Sequence, residues 1–326
     1  FSAKIAPEEY GLESRLTMQE LRLTVALELN DLDHKILEYT RFVCQSLPIT
    51  KIYVLHVEER LDLPESMLAK HPELENAPFD ETLEQQMKDK VEQFLDTEKL
   101  TIDYDVLEGK VMETLVKQTH LKHSDLLIVG NRHQPGENEV VSAKLARRAP
   151  CSVLFVPEEF SLDIQNVLVP IDFSEHAALA AQMALSLSSA VNGDTVHFLN
   201  VYKVPQGYYR LGETYEEACD NMRYYAQEDY SKFVGKLQNV EDNTVEVHFE
   251  PKKDGPVTQT IIQQIKALNC QLLVMGSKGR TNLSAIFMGS LTEKLIQANL
   301  GVPMLVVKKK DENLNFLEAL LEISGV

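Results

Sequence analysis

The chain has 326 residues with 50 acidic and 32 basic side chains, a net charge of −18, and 44% hydrophobic residues. This length suits two domains of about 150 residues, with enough hydrophobic side chains for a core in each. The negative charge argues against nucleic acid and anionic membranes as partners, and no apolar run approaches the roughly 20 residues of a membrane helix.

The first half of the chain alternates short apolar runs with longer stretches of helical periodicity. Strands are predicted near residues 23–27, 52–57, 102–106, 125–130 and 153–156, and helices over 31–46, 80–98, 110–122 and 140–148. Residues 126–129 are continuously apolar, which is typical of a parallel strand covered on both faces. Strands that alternate with helices predict right-handed β-α-β crossovers.

The second half repeats this pattern. Strands are predicted near residues 167–171, 196–201, 245–249, 271–276 and 304–307, and helices over 175–190, 213–238, 256–268 and 290–299. Equivalent features keep nearly constant separations: 144 residues for the first two strands, 146 for Gly109 with Gly255 and Gly130 with Gly276, and 151 for the last strands. Separations that change only between elements predict a duplicated domain.

These patterns predict two tandem Rossmann-like α/β domains, each a five-stranded parallel sheet with helices on both faces. We expect the first domain over residues 16–157 and the second over 163–310, followed by a C-terminal tail over 311–326 whose leucines have helical spacing. The join at 157–163 is short, which favours two halves packed together. Ligands on such sheets bind outside the carboxyl ends of the strands.

The strongest local motif follows the fourth strand of the second half. It reads Gly276-Ser277-Lys278-Gly279, nine residues, then Gly289-Ser290. Glycines let the backbone approach a ligand closely, and the helix that follows presents free amides and a positive dipole end to a phosphate. Ser290 and Thr292 add hydroxyl donors. A purely structural alternative stays open, because Ser290 and Glu293 also have the spacing of a capping box.

With Pro170-Ile171-Asp172-Phe173-Ser174 at the end of its first strand, the second half resembles the ATP-binding branch of the universal stress protein family. The resemblance covers nearly the whole chain, twice, and implies adenine nucleotide alpha hydrolase-like folds. It places Asp172 near the ribose or base and Val201 against adenine. The nucleotide-binding residues that it implies are Pro170, Asp172, Val201, Met275, Gly276, Ser277, Gly279, Arg280, Asn282, Gly289, Ser290, Leu291 and Thr292.

The first half departs from the family pattern. His133 stands where Gly279 stands in the second half, and Glu28 stands where Asp172 does. The segment between Gly130 and the last strand is five residues shorter. We therefore expect a degenerate first domain that does not bind ATP in the family's manner.

Charge supports a polyanion site in the second half. Residues 276–310 contain six basic side chains against Glu293 alone, a local net of +5 on an acidic chain. The charge of ATP on a protein of net −18 predicts Mg²⁺ as its companion. The aromatic segment 202–209 is either a lid over the base or simple loop packing.

Several classes of protein lack support in the sequence. It contains no G-x-x-x-x-G-K-[ST], no G-x-G-x-x-G after a first strand, and no G-x-S-x-G. The leading hypothesis is a nucleotide-dependent stress-response regulator without an assigned catalytic residue. A slow ATPase and a nucleotide-free interaction module remain as alternatives.

Cellular context and assembly are also expectations from the sequence. Four scattered cysteines and a start (Phe1 to Lys4) without the regions of a signal peptide predict a cytoplasmic protein. The family resemblance suggests an intramolecular pseudo-dimer in contact through the last strand of each half, and it leaves a further homodimer open.

Overall fold

The computed structural model describes residues 21–47, 49–61, 79–132, 141–191, 193–238, 240–253, 255–279, 288–298 and 300–309. The first half contains β1 (Leu21–Leu27), α1 (Leu32–Ser46), β2 (Ile49–Glu58), α2 (Phe79–Glu92), β3 (Thr101–Glu108), α3 (Val111–Leu121), β4 (Leu126–Gly130), α4 (Val141–Arg148) and β5 (Ser152–Val156). The predicted tail over 311–326 lies outside the described residues.

The second half contains β6 (Asn166–Pro170), α5 (Glu175–Val191), β7 (Thr195–Tyr202), α6 (Tyr215–Val234), β8 (Val245–Pro251), α7 (Val257–Ala267), β9 (Leu272–Gly276), α8 (Ser290–Gln297) and β10 (Met304–Val307). A short 3-10 helix at Tyr208–Leu211 precedes α6. The order of strands and helices is therefore the same in both halves.

The ten strands form one sheet in the order β3-β2-β1-β4-β5-β10-β9-β6-β7-β8. All pairs within a half are parallel, and the central pair β5–β10 is antiparallel. Leu154 pairs with Leu305, its own equivalent in the repeat, so the contact is self-complementary, as at a two-fold axis. The expected contact through the last strands is confirmed, and so is the predicted fold class.

Helices cover both faces of this sheet, which explains why its strands are apolar on both sides. One core includes Ile36 of α1 and Phe233 of α6, and it lies under α1, α2, α5 and α6. The other includes Leu145 of α4 and Ile261 of α7, and it lies under α3, α4, α7 and α8. None of the helices in the described part of the chain has the length and apolar character to cross a membrane.

The duplication extends to backbone conformation. Leu29 (φ 56°) and Phe173 (φ 65°) are both left-handed, and these residues occupy equivalent places directly after β1 and β6. His123 (φ 51°) and Asn269 (φ 48°) form a second equivalent pair, between a helix and the fourth strand of each half. Left-handed backbone is uncommon for residues other than glycine. The turns have therefore kept one geometry in two different sequences.

Two predicted helices are longer than the observed ones. The helix predicted over 80–98 ends at Glu92, where the amides of Gln93 and Phe94 bond to the carbonyls three residues earlier, those of Lys90 and Val91, as in a tighter turn. The helix predicted over 213–238 spans Tyr215–Val234. Its start is fixed by a capping box in which the Thr214 hydroxyl accepts the amide of Glu217.

Candidate functional site

A cavity of about 310 Å³ lies at the carboxyl ends of the strands in the second half, where β6, β7, β9 and the start of α8 meet. The predicted site residues that line it are Pro170, Asp172, Val201, Met275, Gly276, Gly279, Gly289, Ser290, Leu291 and Thr292. The sheet thus brings together residues that are up to 122 positions apart in the chain. Arg280 and Asn282 lie outside the described residues.

Part of the cavity lining is apolar. It consists of Ile171, Ala177, Leu199, Val257 and Ile261, together with the predicted Val201 and Met275. Sequence reasoning missed the first five. The spacing of Val257 and Ile261, four residues apart on a helix that follows Gly255, could have indicated that α7 faces the site.

The turn after β6 is organised by Asp172. Oδ1 of Asp172 accepts the amide of Ser174 at 3.1 Å, across the left-handed Phe173. The Ser174 hydroxyl then accepts the amide of Ala177 at 3.2 Å and caps α5. The neighbouring strand supports this turn, because Nδ2 of Asn200 donates to the carbonyl of Ile171 at 2.8 Å. Asp172 is therefore both a turn residue and a cavity residue.

Close packing explains two of the motif glycines. A Cβ atom at Gly276 would lie 2.6 Å from the carbonyl oxygen of His176, so β9 can approach the first turn of α5 only with glycine at this position. A Cβ atom at Gly279 would lie 2.7 Å from Oδ2 of Asp172. The motif predicts that Gly279 allows close approach of a ligand; in the structure its near neighbour is the Asp172 carboxylate, and its φ is not positive.

Backbone hydrogen bonds close the loop against the sheet. The amide of Ser277 donates to the carbonyl of Val307 at 3.0 Å, and the amide of Gly289 donates to the carbonyl of Ser277 at 2.8 Å. Ser277 is buried behind the loop and does not line the cavity. The Thr292 hydroxyl donates to the carbonyl of Gly276 at 3.1 Å. That hydrogen is engaged by the backbone in this structure, and the donation of Thr292 to a phosphate stays a prediction.

The capping-box alternative at Ser290 is wrong. Gly289 is the N-cap of α8, no side chain caps the helix, and Ser290 is its exposed first residue. The Glu293 side chain contacts Arg147 of the first half instead. The first bond of the helix runs from the amide of Glu293 to the carbonyl of Gly289, which leaves the amides before Glu293 without partners inside the helix. These amides lie at the cavity.

The basic side chains of residues 276–310 are less concentrated at the site than the composition of that segment indicates. Lys278 is the member that lines the cavity among the described basic residues. Nζ of Lys308 donates to the carbonyls of Arg147 and Ala149 at the junction of the halves. The described lining of the cavity includes none of the segment 202–209, whose Tyr208 ring packs on Tyr209 and Tyr215 at centroid distances of 6.1 and 5.9 Å. This packing is one of the two alternatives that the sequence leaves open for the segment.

The first half has a cavity of about 390 Å³ at the equivalent place. Its polar lining differs, with the carboxylates of Glu28 and Glu58 beside Arg132. His56 replaces Asn200, and it contacts both the carbonyl of Leu27 at 2.9 Å and Oε1 of Glu58 at 3.0 Å. Two carboxylates make this cavity less suited to a polyphosphate than its counterpart. His133 lies outside the described residues.

The cysteines take no part in either cavity. All four are free, and burial raises the pKa of Cys44, Cys151 and Cys270 to about 12. Thiols with such high pKa values are poor nucleophiles and poor metal ligands at neutral pH.

Comparison with known sequences finds a match in each half. The model of the Universal stress protein family matches residues 21–157 and again residues 163–308. A universal stress protein from Methanocaldococcus jannaschii is 25% identical over 164 residues, which cover 46% of this chain and 99% of that protein.

Solved structures show the same tandem architecture. A universal stress protein from Archaeoglobus fulgidus superposes with a TM-score of 0.58 at 17% identity, and the superposition covers 89% of this chain and 97% of that protein. A functionally unknown protein from Pseudomonas aeruginosa superposes with a TM-score of 0.61 at 18% identity, covering 95% of this chain and 100% of its own. At these identities the likeness establishes the fold alone.

Proposed function

This chain belongs to the universal stress protein family, and on that premise we propose that its second half binds ATP together with Mg²⁺. We further propose that the bound nucleotide sets the conformation or partner choice of a cytoplasmic stress-response regulator. The observation that carries the proposal is a single cavity lined both by apolar side chains and by the uncapped start of α8.

The two kinds of cavity lining match the base and the phosphates of a nucleotide. Val201, Met275 and Ile261 offer an apolar surface for a flat base. Ser290 and Leu291 offer backbone amides at the positive end of a helix dipole, where anions are stabilised. Asp172 also lines the cavity, where its carboxylate can accept ribose hydroxyls.

Regulation is favoured over catalysis by the carboxylates of the site. Asp172 is the one carboxylate among the described residues that line the cavity, and its Oδ1 is engaged with the amide of Ser174. A general base for hydrolysis would have to reach the attacking water. We therefore assign no catalytic residue, and we assign the first half a structural role as the partner in the intramolecular pseudo-dimer.

Mass spectrometry of protein purified without added nucleotide, then denatured, tests the proposal. We expect ATP or ADP at up to one molecule per chain, and release of phosphate from added ATP near background. A nucleotide-free chain that also fails to bind added ATP would favour the interaction-module alternative. Steady release of phosphate well above background would favour the ATPase.

A further inference from the structure

Three metal-ligating side chains meet on the two outermost strands of the second half. His197 lies on β7, opposite Glu246 of β8, and His248 follows two residues later on β8. Nδ1 of His197 lies 3.1 Å from Nε2 of His248 and 3.4 Å from Oε2 of Glu246, and the last two atoms are 3.8 Å apart. Within the described ranges, this is the one group of three His, Cys, Asp or Glu side chains with such spacing.

The separations fit a single metal ion. Ligand atoms around a tetrahedral zinc ion, with bonds of about 2.0–2.1 Å, are about 3.3 Å apart. The three atoms of the cluster lie on a circle with a radius of about 2.0 Å, so one ion can lie at bonding distance from all of them. The cluster therefore needs little rearrangement to bind an ion.

Asn166 of β6 orients the buried histidine. Nε2 of His197 lies 3.1 Å from Oδ1 of Asn166, while Nδ2 of the same amide donates to the carbonyl of Asn269. Because an amide oxygen can only accept, Nε2 of His197 carries the hydrogen and Nδ1 keeps its lone pair toward the cluster. A partner that fixes the tautomer in this way is the usual support of a metal-binding histidine.

Exposure leaves the cluster open on one side. The His197 side chain is 6% exposed, His248 is 23% exposed and Glu246 is 57% exposed. His197 is thus fixed inside the protein, whereas Glu246 and His248 lie on the edge strand β8 and are accessible to solvent. Three protein ligands with an open fourth position are the arrangement of zinc sites that bind water or a further ligand.

The equivalent place in the first half is built differently. Asp103 and Asp105 stand where Glu246 and His248 stand, and they pair with Lys51 at 2.6 Å and with Lys122 at 2.7 Å. Tyr53 replaces His197 and packs under Lys122. Lysine cations neutralise these carboxylates and exclude a metal ion. The first half therefore contains an equivalent position without imidazoles, which can serve as a control.

The lysines have no counterparts in the second half. Thr195 stands at the position of Lys51, and Leu268 stands at the position of Lys122. Among the described residues, Glu246 forms ion pairs with the two histidines, which carry positive charge only when protonated. A bound cation would supply the charge that the lysines supply in the first half.

We propose that His197, Glu246 and His248 bind one divalent transition-metal ion of the zinc type, with a fourth position open to solvent. Two imidazoles and one carboxylate suit Zn²⁺, Co²⁺ and Ni²⁺, whereas Mg²⁺ prefers oxygen ligands alone. The site is distinct from the nucleotide cavity, because none of its three ligands lines that cavity and Leu199, which does, lies two residues from His197 along β7, about 7 Å. In the absence of metal, the same atoms form a hydrogen bond between the two imidazoles.

Metal titration of the full chain, without a histidine tag, tests this site. Zn²⁺ is titrated in competition with a chromophoric chelator, and Co²⁺ is followed by its visible absorption, which reports tetrahedral geometry. His248→Ala and Glu246→Ala both replace accessible side chains, and circular dichroism checks that the variants fold. Asp103→Ala in the first half is the matched control.

We expect the wild-type chain and Asp103→Ala to bind one Zn²⁺ with equal affinity. His248→Ala and Glu246→Ala should each lower that affinity at least tenfold and remove the tetrahedral Co²⁺ spectrum. Equal Zn²⁺ affinity in His248→Ala and Asp103→Ala would overturn the proposal, as would a wild-type chain that binds neither ion.

Discussion

Gly279 lies where the loop after β9 meets the turn after β6, and its missing Cβ atom leaves room for the Asp172 carboxylate. The glycine motif around it predicts a phosphate site from spacing alone. The close approach of Gly279 to Asp172 adds that the loop and the turn constrain each other directly. A side chain at position 279 would therefore act on the cavity in two ways, by displacing Asp172 and by narrowing the approach of a phosphate.

Gly279→Val should separate binding from folding. We expect ATP affinity to fall at least about tenfold, which is about 1.4 kcal/mol. The free energy of unfolding should fall by about 1–3 kcal/mol, because Gly279 is only partly buried. A fluorescent ATP analogue measures the affinity, and circular dichroism measures the fold.

The matched control for this variant is His133→Val, which changes the equivalent position of the first half. It should leave the affinity for ATP unchanged, because we assign no nucleotide to that half. A folded Gly279→Val protein with normal affinity would remove the loop from the proposed site.

At the scale of single elements, the start of α5 links stability to the cavity, because the capping residue Ser174 lies two residues after the cavity residue Asp172. The Ser174 hydroxyl accepts the amide of Ala177 and ends a turn that Asp172 organises. We expect Ser174→Ala to lower the free energy of unfolding by about 1 kcal/mol, as loss of an N-cap does.

Ser186→Ala is the matched control: it removes the same hydroxyl group at an exposed position inside α5, where alanine is the better helix former. Its free energy of unfolding should equal or exceed that of the wild type. Urea denaturation measures both variants. Equal stability of Ser174→Ala and Ser186→Ala would show that the cap contributes nothing.

Elements were predictable where the sequence has a continuous apolar run or a strong period, and residues of the site were predictable where a motif lies next to a strand end. Both the strand at 126–130 and the glycine motif after β9 belong to this class. The cavity wall from α7 was not predictable, because Val257 and Ile261 look like ordinary core residues of an amphipathic helix. The end of α2 at Glu92 was missed because the tighter turn bonds after it, such as that from the Phe94 amide to the carbonyl of Val91, leave no mark in the apolar pattern.

For the whole molecule, the antiparallel pair β5–β10 makes two domains into one sheet. Val153 and Val306 are fully buried at this pair, and Lys308 of the second half donates to carbonyls of the first. Separating the halves would expose two apolar strand edges. We expect the chain to unfold in one transition, measured by differential scanning calorimetry and by urea titration. Two well-separated transitions would contradict this coupling of the halves.

Net charge sets a second whole-molecule expectation. ATP approaches a protein of net −18, and the described lining of the cavity contributes Lys278 against Asp172. The amides of a helix start supply only about 0.3–2 kcal/mol for an anion. We therefore expect Mg²⁺ to strengthen ATP binding, and excess chelator at matched ionic strength to weaken it. Equal affinity with and without chelator would argue against a role for the cation.

The central claim is that a duplicated fold keeps one nucleotide site of two. Isothermal titration calorimetry of the wild-type chain with ATP and Mg²⁺ tests it most directly, because the method counts sites. The account predicts one site per chain, which Gly279→Val weakens and His133→Val leaves intact. Two equivalent sites per chain, or one site that survives Gly279→Val and is lost in His133→Val, would contradict it.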